Sequence, residues 1–211
     1  MRSLAEVLLF FVILTDFGVL AMSRLSACIR AVAAQGLLLG ILSLVVEGAW
    51  SVHGVGLALG TILIKAVFLP WFLRWAIREA SVRREVEPLV GYMASFLLGA
   101  AALAVSFAVA ARLPPIESGP LLVPVALATV IIGLVVLITR TKAVSQVVGY
   151  LMLENGIYIF GLTQIRRVPF LVDAGVLLDV FVGVFVMGIV VFHINREFDS
   201  ISAAQLTELR E

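Results

Sequence analysis

The chain has 211 residues, of which 62% are apolar and 14% are charged, and its mean hydropathy is +1.15. Soluble domains are roughly 45–50% apolar and about a quarter charged, and a globule of this size leaves about a third of its potential surface in water. This composition excludes an ordinary soluble domain and predicts an all-α, polytopic membrane protein. The net charge of +1 gives no support for nucleic-acid binding.

Apolar runs bounded by charged residues, glycine and proline predict about seven transmembrane helices. Pro70 predicts a kink in the third of them. The first run is expected to remain a span rather than to be cleaved as a signal peptide, because it carries Glu6 and its stronger positive charge follows it. The runs cover residues 4–22, 27–46, 52–77, 88–111, 120–139, 143–162 and 170–192.

The basic residues predict how the helices are oriented in the membrane. Ten Arg and Lys residues fall on one side of the predicted spans and four on the other, so the positive-inside rule places the N-terminus outside and the C-terminus in the cytoplasm. The linker after the third span and the tail are either solvated helix ends or docking surfaces for a neighbouring subunit. The predicted units are an N-terminal three-helix half with its linker (1–87), a connector helix with an outer loop (88–119), a three-helix unit (120–194) and a cytoplasmic amphipathic tail (195–211).

The cysteine and histidine counts argue against a redox or catalytic centre. Cys28 is the only cysteine, so this chain does not supply the four thiolates of an iron–sulfur cluster. His53 and His193 lie at opposite ends of predicted spans and are therefore not expected to share one site. The sequence also shows no arrangement of serine with histidine that is typical of a catalytic site. We therefore predict no cofactor, no metal site and no catalytic site of the chain's own.

Four ionisable residues lie near the middle of predicted spans: Asp16, Lys65, Glu154 and Asp179. A charge at the bilayer centre costs about 2.5–3.5 kcal/mol even on the lenient insertion scale. These groups are therefore expected to face protein, water or one another, and to form a polar axis across the midplane. Gln35 on the second span is expected to complete this inward-facing set.

Glu154 has the most informative local sequence. Gln146, Tyr150 and Tyr158 recur with it at four-residue spacing, which places all four along one face of a helix. A carboxyl group in an apolar site can bind and release a proton near physiological pH, so we predict a proton relay at Glu154. The alternative is a structural glutamate that holds two helices together by hydrogen bonds.

The other midplane charges allow both a functional and a structural interpretation. Asp179 lies between Gly175 and Gly183, and such small residues let a neighbouring helix approach its carboxyl group closely. Asp173 is either an outer-side step of the same pathway or a helix-start residue near the interface. Lys65, desolvated at the midplane, either pairs with a carboxylate or loses its proton. Both behaviours suit a proton or cation pathway, and a static salt bridge is the alternative.

The run GYLMLENGIY at 149–158, followed by LLDVF at 177–181, resembles component E of hydrogenase-4 type membrane complexes. The last three spans are also similar to the K subunit of respiratory complex I and to the C subunit of Mrp-type sodium/proton antiporters. In that comparison Glu154 matches the membrane glutamate on the middle helix of the K subunit. Asp179 falls near the carboxylate of its last helix, where this chain has aspartate rather than glutamate.

The resemblance implies a small non-redox subunit of an energy-converting complex in a prokaryotic plasma membrane. Its implied partners are large antiporter-like subunits, a subunit like the H subunit of complex I, and a peripheral redox or hydrogenase arm. The chain would contribute buried carboxylates to a path for protons or sodium ions. Two other hypotheses stay open: a subunit of a cation/proton antiporter without redox chemistry, and a structural spacer whose buried charges form static pairs.

Overall fold

The computed structural model of the protein describes residues 2–47, 52–79, 89–113 and 119–164. Within these ranges the chain is helical and has no β-strand, which confirms the predicted all-α class. The seventh predicted span, at 170–192, lies outside the described residues. The helices are α1 (Arg2–Ala21), α2 (Leu25–Glu47), α3 (Val52–Thr61), a π-helical segment (Ile62–Phe68), α4 (Leu69–Glu79), α5 (Tyr92–Ala110), α6 (Leu122–Thr139) and α7 (Ala143–Thr163).

Five helical stretches are long and apolar enough to cross a membrane, and they correspond to the first five predicted spans. The sixth predicted span is occupied by α7, which has 21 residues and carries more polar side chains than the others. The chain is a multi-pass membrane protein. The five stretches are Arg2–Ala21, Leu25–Val46, Gly54–Trp75, Tyr92–Ala110 and Leu122–Thr139.

Helix α2 lies at the centre of the described bundle. It contacts α1, α3, the π-helical segment, α4 and α7, while α1 also packs against α5 and α6. The interior is filled by two apolar clusters, one around Leu25, Ile29 and Phe72 and one around Leu39 and Ile159. Because lipid is as apolar as these side chains, the helices associate through close packing and hydrogen bonds rather than through the hydrophobic effect.

The most extensive helix pair is α6 with α7, and glycines lie at its contact. A Cβ atom at Gly133 would collide with the backbone of Leu153, and one at Gly149 would collide with the backbone of Leu137. Small residues are a common device in membrane helix pairs, since they allow two backbones to approach. The glycines therefore fix how closely α7, which carries Glu154, lies against α6.

The third predicted span is helical throughout, but its middle is π-helical. The segment Ile62–Phe68 contains Lys65, and the backbone N–H of Leu69 donates to the carbonyl O of Ile64, five residues earlier. Pro70 follows and has no backbone N–H to donate. The kink expected at Pro70 stays a prediction, and the π-helical turns before it are of a kind that frequently occurs at functional sites.

The outward face of this span is apolar and then aromatic. Leu59, Leu63 and Val67 are exposed at four-residue intervals, and Trp71 and Trp75 continue the same row. Aliphatic side chains suit contact with acyl chains, and tryptophan is enriched at the membrane–water interface. The row therefore indicates a lipid-facing surface that ends at the interface near Trp75.

Replacing Gly133 by Ala is expected to destabilise the bundle, because the new Cβ meets the backbone of Leu153 and the two helices must separate. Overpacking of this kind costs roughly 1–3 kcal/mol, so the midpoint of thermal denaturation in detergent should fall by roughly 2–12 °C. Gly56→Ala is the matched control, since a Cβ there has nothing within 4 Å. Equal midpoints for the two variants would contradict the close α6–α7 contact.

Candidate functional site

Asp16 on α1 is fully buried and accepts hydrogen bonds from two other helices. The Gln35 Nε2 of α2 donates to its Oδ1 at 2.8 Å, and the Thr129 Oγ1 of α6 donates to its Oδ2 at 2.8 Å. The Asn155 Nδ2 of α7 donates in turn to the Oε1 of Gln35 at 2.9 Å. None of the four side chains is more than 2% exposed. These four residues, called the Asp16 network below, join four helices by one chain of hydrogen bonds.

Both oxygens of Asp16 take part in the Asp16 network. One lies at hydrogen-bond distance from the amide of Gln35 and the other from the hydroxyl group of Thr129. The Nε2 of Gln35 also lies 3.5 Å from the carbonyl O of Val12, one turn before Asp16 on the same helix. Because a buried polar group is tolerated only where hydrogen bonds replace water, these partners explain how α1 carries an aspartate in its interior.

A second polar group, called the Lys65 cluster below, consists of Thr61, Lys65 and Tyr158. Lys65 is 4% exposed, and its Nζ lies over the Tyr158 ring, 5.6 Å from the ring centroid. The hydroxyl groups of Thr61 and Tyr158 share a hydrogen bond of 3.0 Å. An ammonium group above an aromatic ring is stabilised by the quadrupole of the ring. Tyr158 therefore meets Lys65 with its face and Thr61 with its hydroxyl group.

Glu154 lies on α7 beside a residue of the Asp16 network and one helical turn from a residue of the Lys65 cluster. It is 3% exposed, lies one helical turn before Tyr158 on α7, and is the chain neighbour of Asn155. Gly36, next to Gln35 on α2, packs so closely on Lys65 that a Cβ there would collide with it. The Asp16 network and the Lys65 cluster therefore meet at neighbouring residues of α2, Gln35 and Gly36.

The predicted polar face of α7 is divided between the interior and the exterior. Glu154 and Tyr158 are buried, Tyr150 is half-buried and Gln146 is exposed. The Nε2 of Gln146 donates to the carbonyl O of Arg140 at 3.1 Å, so this side chain closes the turn between α6 and α7. Residues four apart drift by about 40° per step on a helix of 3.6 residues per turn, which rotates the start of the row out of the interior.

Two of the predicted site residues, Asp173 and Asp179, lie outside the described residues. The structure also adds residues that sequence analysis did not identify. Thr129 lies in a largely apolar helix, where a threonine hydroxyl group commonly bonds the backbone of its own helix. Its local sequence therefore does not predict the hydrogen bond to Asp16. Arg140 is a second such residue, since it lies between two predicted spans and is nevertheless only 3% exposed.

No group of three or more His, Cys, Asp or Glu side chains in the described part of the chain stands close enough to hold a metal ion. Asp16 is instead held by amide and hydroxyl groups, and Lys65 lies over an aromatic ring. This arrangement suits binding and transfer of protons, because hydroxyl groups both donate and accept hydrogen bonds. For the whole chain, the absence of a metal site stays a prediction.

A double-mutant cycle on Asp16 and Thr129 tests the network. Asp16→Ala leaves the buried donors of Gln35 and Thr129 without their acceptor, so the free energy of unfolding should fall by roughly 1–3 kcal/mol. Thr129→Val should cost up to about 1.7 kcal/mol, the upper range for hydrogen bonds between membrane helices. The double variant should lose less stability than the sum of the losses in the two single variants. The reason is that valine at position 129 leaves no unpaired hydroxyl donor once the carboxyl group of Asp16 has been removed.

The matched control for this cycle is Ser106→Ala. The buried hydroxyl group of Ser106 donates within α5, to the carbonyl O of Ala102, so its loss combined with Asp16→Ala should be additive. Stability is measured by reversible unfolding in mixed micelles. Additive losses for Asp16 and Thr129 as well would contradict a direct hydrogen bond between them.

Comparison with known proteins places the chain in a family. No family model matches it, and no solved structure matches it significantly. The uncharacterized protein Rv0085 of Mycobacterium tuberculosis is 35% identical to it over 193 residues, which make up 89% of this chain and 87% of that protein. The similarity thus runs along nearly the whole length of both proteins, and the chain belongs to the same family as this mycobacterial protein.

Proposed function

We propose that the chain is a non-redox membrane subunit of an energy-converting complex, related to complex I or to membrane hydrogenases, and that Glu154 takes part in moving protons or sodium ions. The observation that carries the proposal is the burial of Glu154, which is 3% exposed on the same helix as Asn155 of the Asp16 network and Tyr158 of the Lys65 cluster. An ionisable residue buried within a membrane span is expensive and is by default a functional candidate.

The surrounding side chains supply what a proton relay needs. The hydroxyl groups of Tyr158 and Thr61 already share a hydrogen bond, and each can accept one proton while it donates another. Lys65 lies against the Tyr158 ring and brings a positive charge that offsets the carboxylate of Glu154 after proton release. A carboxyl group with such neighbours can act as acid and as base in turn.

Asp16 is included in the proposed pathway, but its contacts favour a supporting role. Both of its oxygens accept fixed hydrogen bonds from α2 and α6, so a change in its charge would disturb three helices at once. Asn155, the chain neighbour of Glu154, is joined to Asp16 through Gln35. In this proposal Asp16 anchors the core against which Glu154 changes its protonation.

The proposal includes features that depend on the resemblance and on charge patterning. These are seven spans, a cytoplasmic C-terminus, a prokaryotic plasma membrane, Asp179 as a second carboxylate in the last span, and Tyr150, Gln146 and Asp173 near the ends of the path. The proposed partners are antiporter-like large subunits, a subunit like the H subunit of complex I and a peripheral redox arm. The excess of Arg and Lys residues on one side of the predicted spans supports this orientation.

Glu154→Gln keeps the shape of the side chain but removes the group that binds and releases a proton. In the assembled complex we expect normal subunit content and a rate of proton translocation reduced roughly tenfold or more relative to electron transfer. The measurement is the proton-to-electron ratio of the complex reconstituted into vesicles. Glu6→Gln is the matched control, because it makes the same change at an exposed position of α1.

An unchanged proton-to-electron ratio in intact Glu154→Gln complex would remove Glu154 from the pathway. It would favour the static alternative, in which the buried charges only fix packing. In that case neutral, shape-preserving changes at Lys65 and Asp179 together should also leave transport intact.

A subunit of a cation/proton antiporter without redox chemistry would use the same buried carboxylate. The two functions must therefore be distinguished by the proteins that the complex contains. We expect the tagged chain, extracted from its native membrane in mild detergent, to copurify with nickel–iron and iron–sulfur proteins. Mass spectrometry of the purified complex identifies them. Recovery of antiporter-like membrane subunits without any redox protein would instead establish the antiporter alternative.

A further inference from the structure

Arg140 is buried at the end of the bundle where α1 and α6 finish and α7 begins. Its side chain is 3% exposed. The Nη2 donates to the carbonyl O of Leu20 at 3.0 Å, and the guanidinium lies over the Tyr92 ring, with Cζ 4.6 Å from the ring centroid. A cation beside the last carbonyl groups of a helix is favourable. Arg140 therefore ties the end of α1 to the starts of α5 and α7.

These contacts leave one terminal nitrogen of Arg140 unused. The Nη1 is buried and has no hydrogen-bond partner among the described residues. Arg140 also lines a small cavity together with Ser23, Cys28 and Ser145, and the cavity has room for about one water-sized group. Since buried donors are nearly always satisfied, an unused guanidinium nitrogen beside such a space indicates a missing acceptor.

The charge around the cavity indicates what kind of acceptor it takes. The guanidinium group of Arg140 is positively charged, and a hydrogen bond to it is strongest when the acceptor is ionised. Arg24 is exposed and follows Ser23, which lines the cavity, so it adds positive charge near the same end. The acceptor is therefore expected to be an oxygen that belongs to an anion.

We propose that this cavity binds one oxygen of a phosphate group, provided either by the headgroup of an anionic phospholipid or by free phosphate. The planar fork of arginine matches phosphate oxygens. The cavity lies where apolar spans end, which is the depth of lipid headgroups, and basic pockets between membrane helices bind such groups. This site is separate from Glu154, so it does not depend on the proposed transport function.

The experiment measures binding of phosphatidylglycerol to the full chain purified in detergent. Arg140→Gln removes the donor and its charge, whereas Cys28→Leu keeps Arg140 and fills the cavity. Both should raise the apparent Kd about tenfold or more, the effect of losing a charge-assisted hydrogen bond. Arg78→Gln is the matched control, since it removes an exposed arginine that does not line the cavity, and it should leave the Kd unchanged.

Two further ligands identify the source of the phosphate. Diacylglycerol has the same acyl chains without a phosphate group and should not bind at the site. Inorganic phosphate that competes with phosphatidylglycerol would assign the site to free phosphate, and the absence of competition would assign it to the lipid. If Arg140→Gln does not fold, Cys28→Leu carries the test alone. Equal binding by wild type and Cys28→Leu, or equal binding of diacylglycerol and phosphatidylglycerol, would overturn the proposal.

Discussion

A bilayer interior offers no water to solvate a charge, and this constraint organises the whole bundle. Asp16 meets it with two donors, Gln35 and Thr129, that come from different helices. Asn155 extends the same chain of hydrogen bonds to α7. A single buried carboxylate therefore specifies the relative rotation of four helices, which apolar packing against lipid-like surfaces would specify only weakly.

The same constraint explains why two polar groups lie side by side. The Asp16 network is held by amide and hydroxyl donors on both carboxylate oxygens, whereas the Lys65 cluster is built from a cation, an aromatic ring and two hydroxyl groups. Lys65 also lies in π-helical turns before Pro70, where backbone hydrogen bonds are less regular. The Asp16 network engages both oxygens of its carboxyl group, and the Lys65 cluster contains hydroxyl groups that can both donate and accept hydrogen bonds. Glu154 adjoins Asn155 in the chain and precedes Tyr158 by one helical turn.

The apolar runs predicted the helices well because a spanning helix needs about 20 apolar residues in a row, and the cost of charge in lipid predicted that Asp16, Lys65 and Glu154 turn inward. Their partners were not predictable in the same way. Thr129 lies 113 residues from Asp16, and their contact depends on how far each helix is rotated. Gln146 shares the spacing of Glu154, but helical drift carries it to the surface. The burial of Arg140 was not predictable either, because it depends on three helix ends that meet around it.

The central claim is that Glu154 exchanges a proton inside the membrane while the core anchored by Asp16 stays fixed. Infrared difference spectroscopy of the assembled complex, recorded between its resting state and turnover, measures this directly. The account predicts a carbonyl stretching band of a protonated carboxyl group that changes during turnover and is absent from the spectrum of the Glu154→Gln complex. A spectrum in which the same band persists in that variant, or in which no carboxyl band changes, would contradict the account.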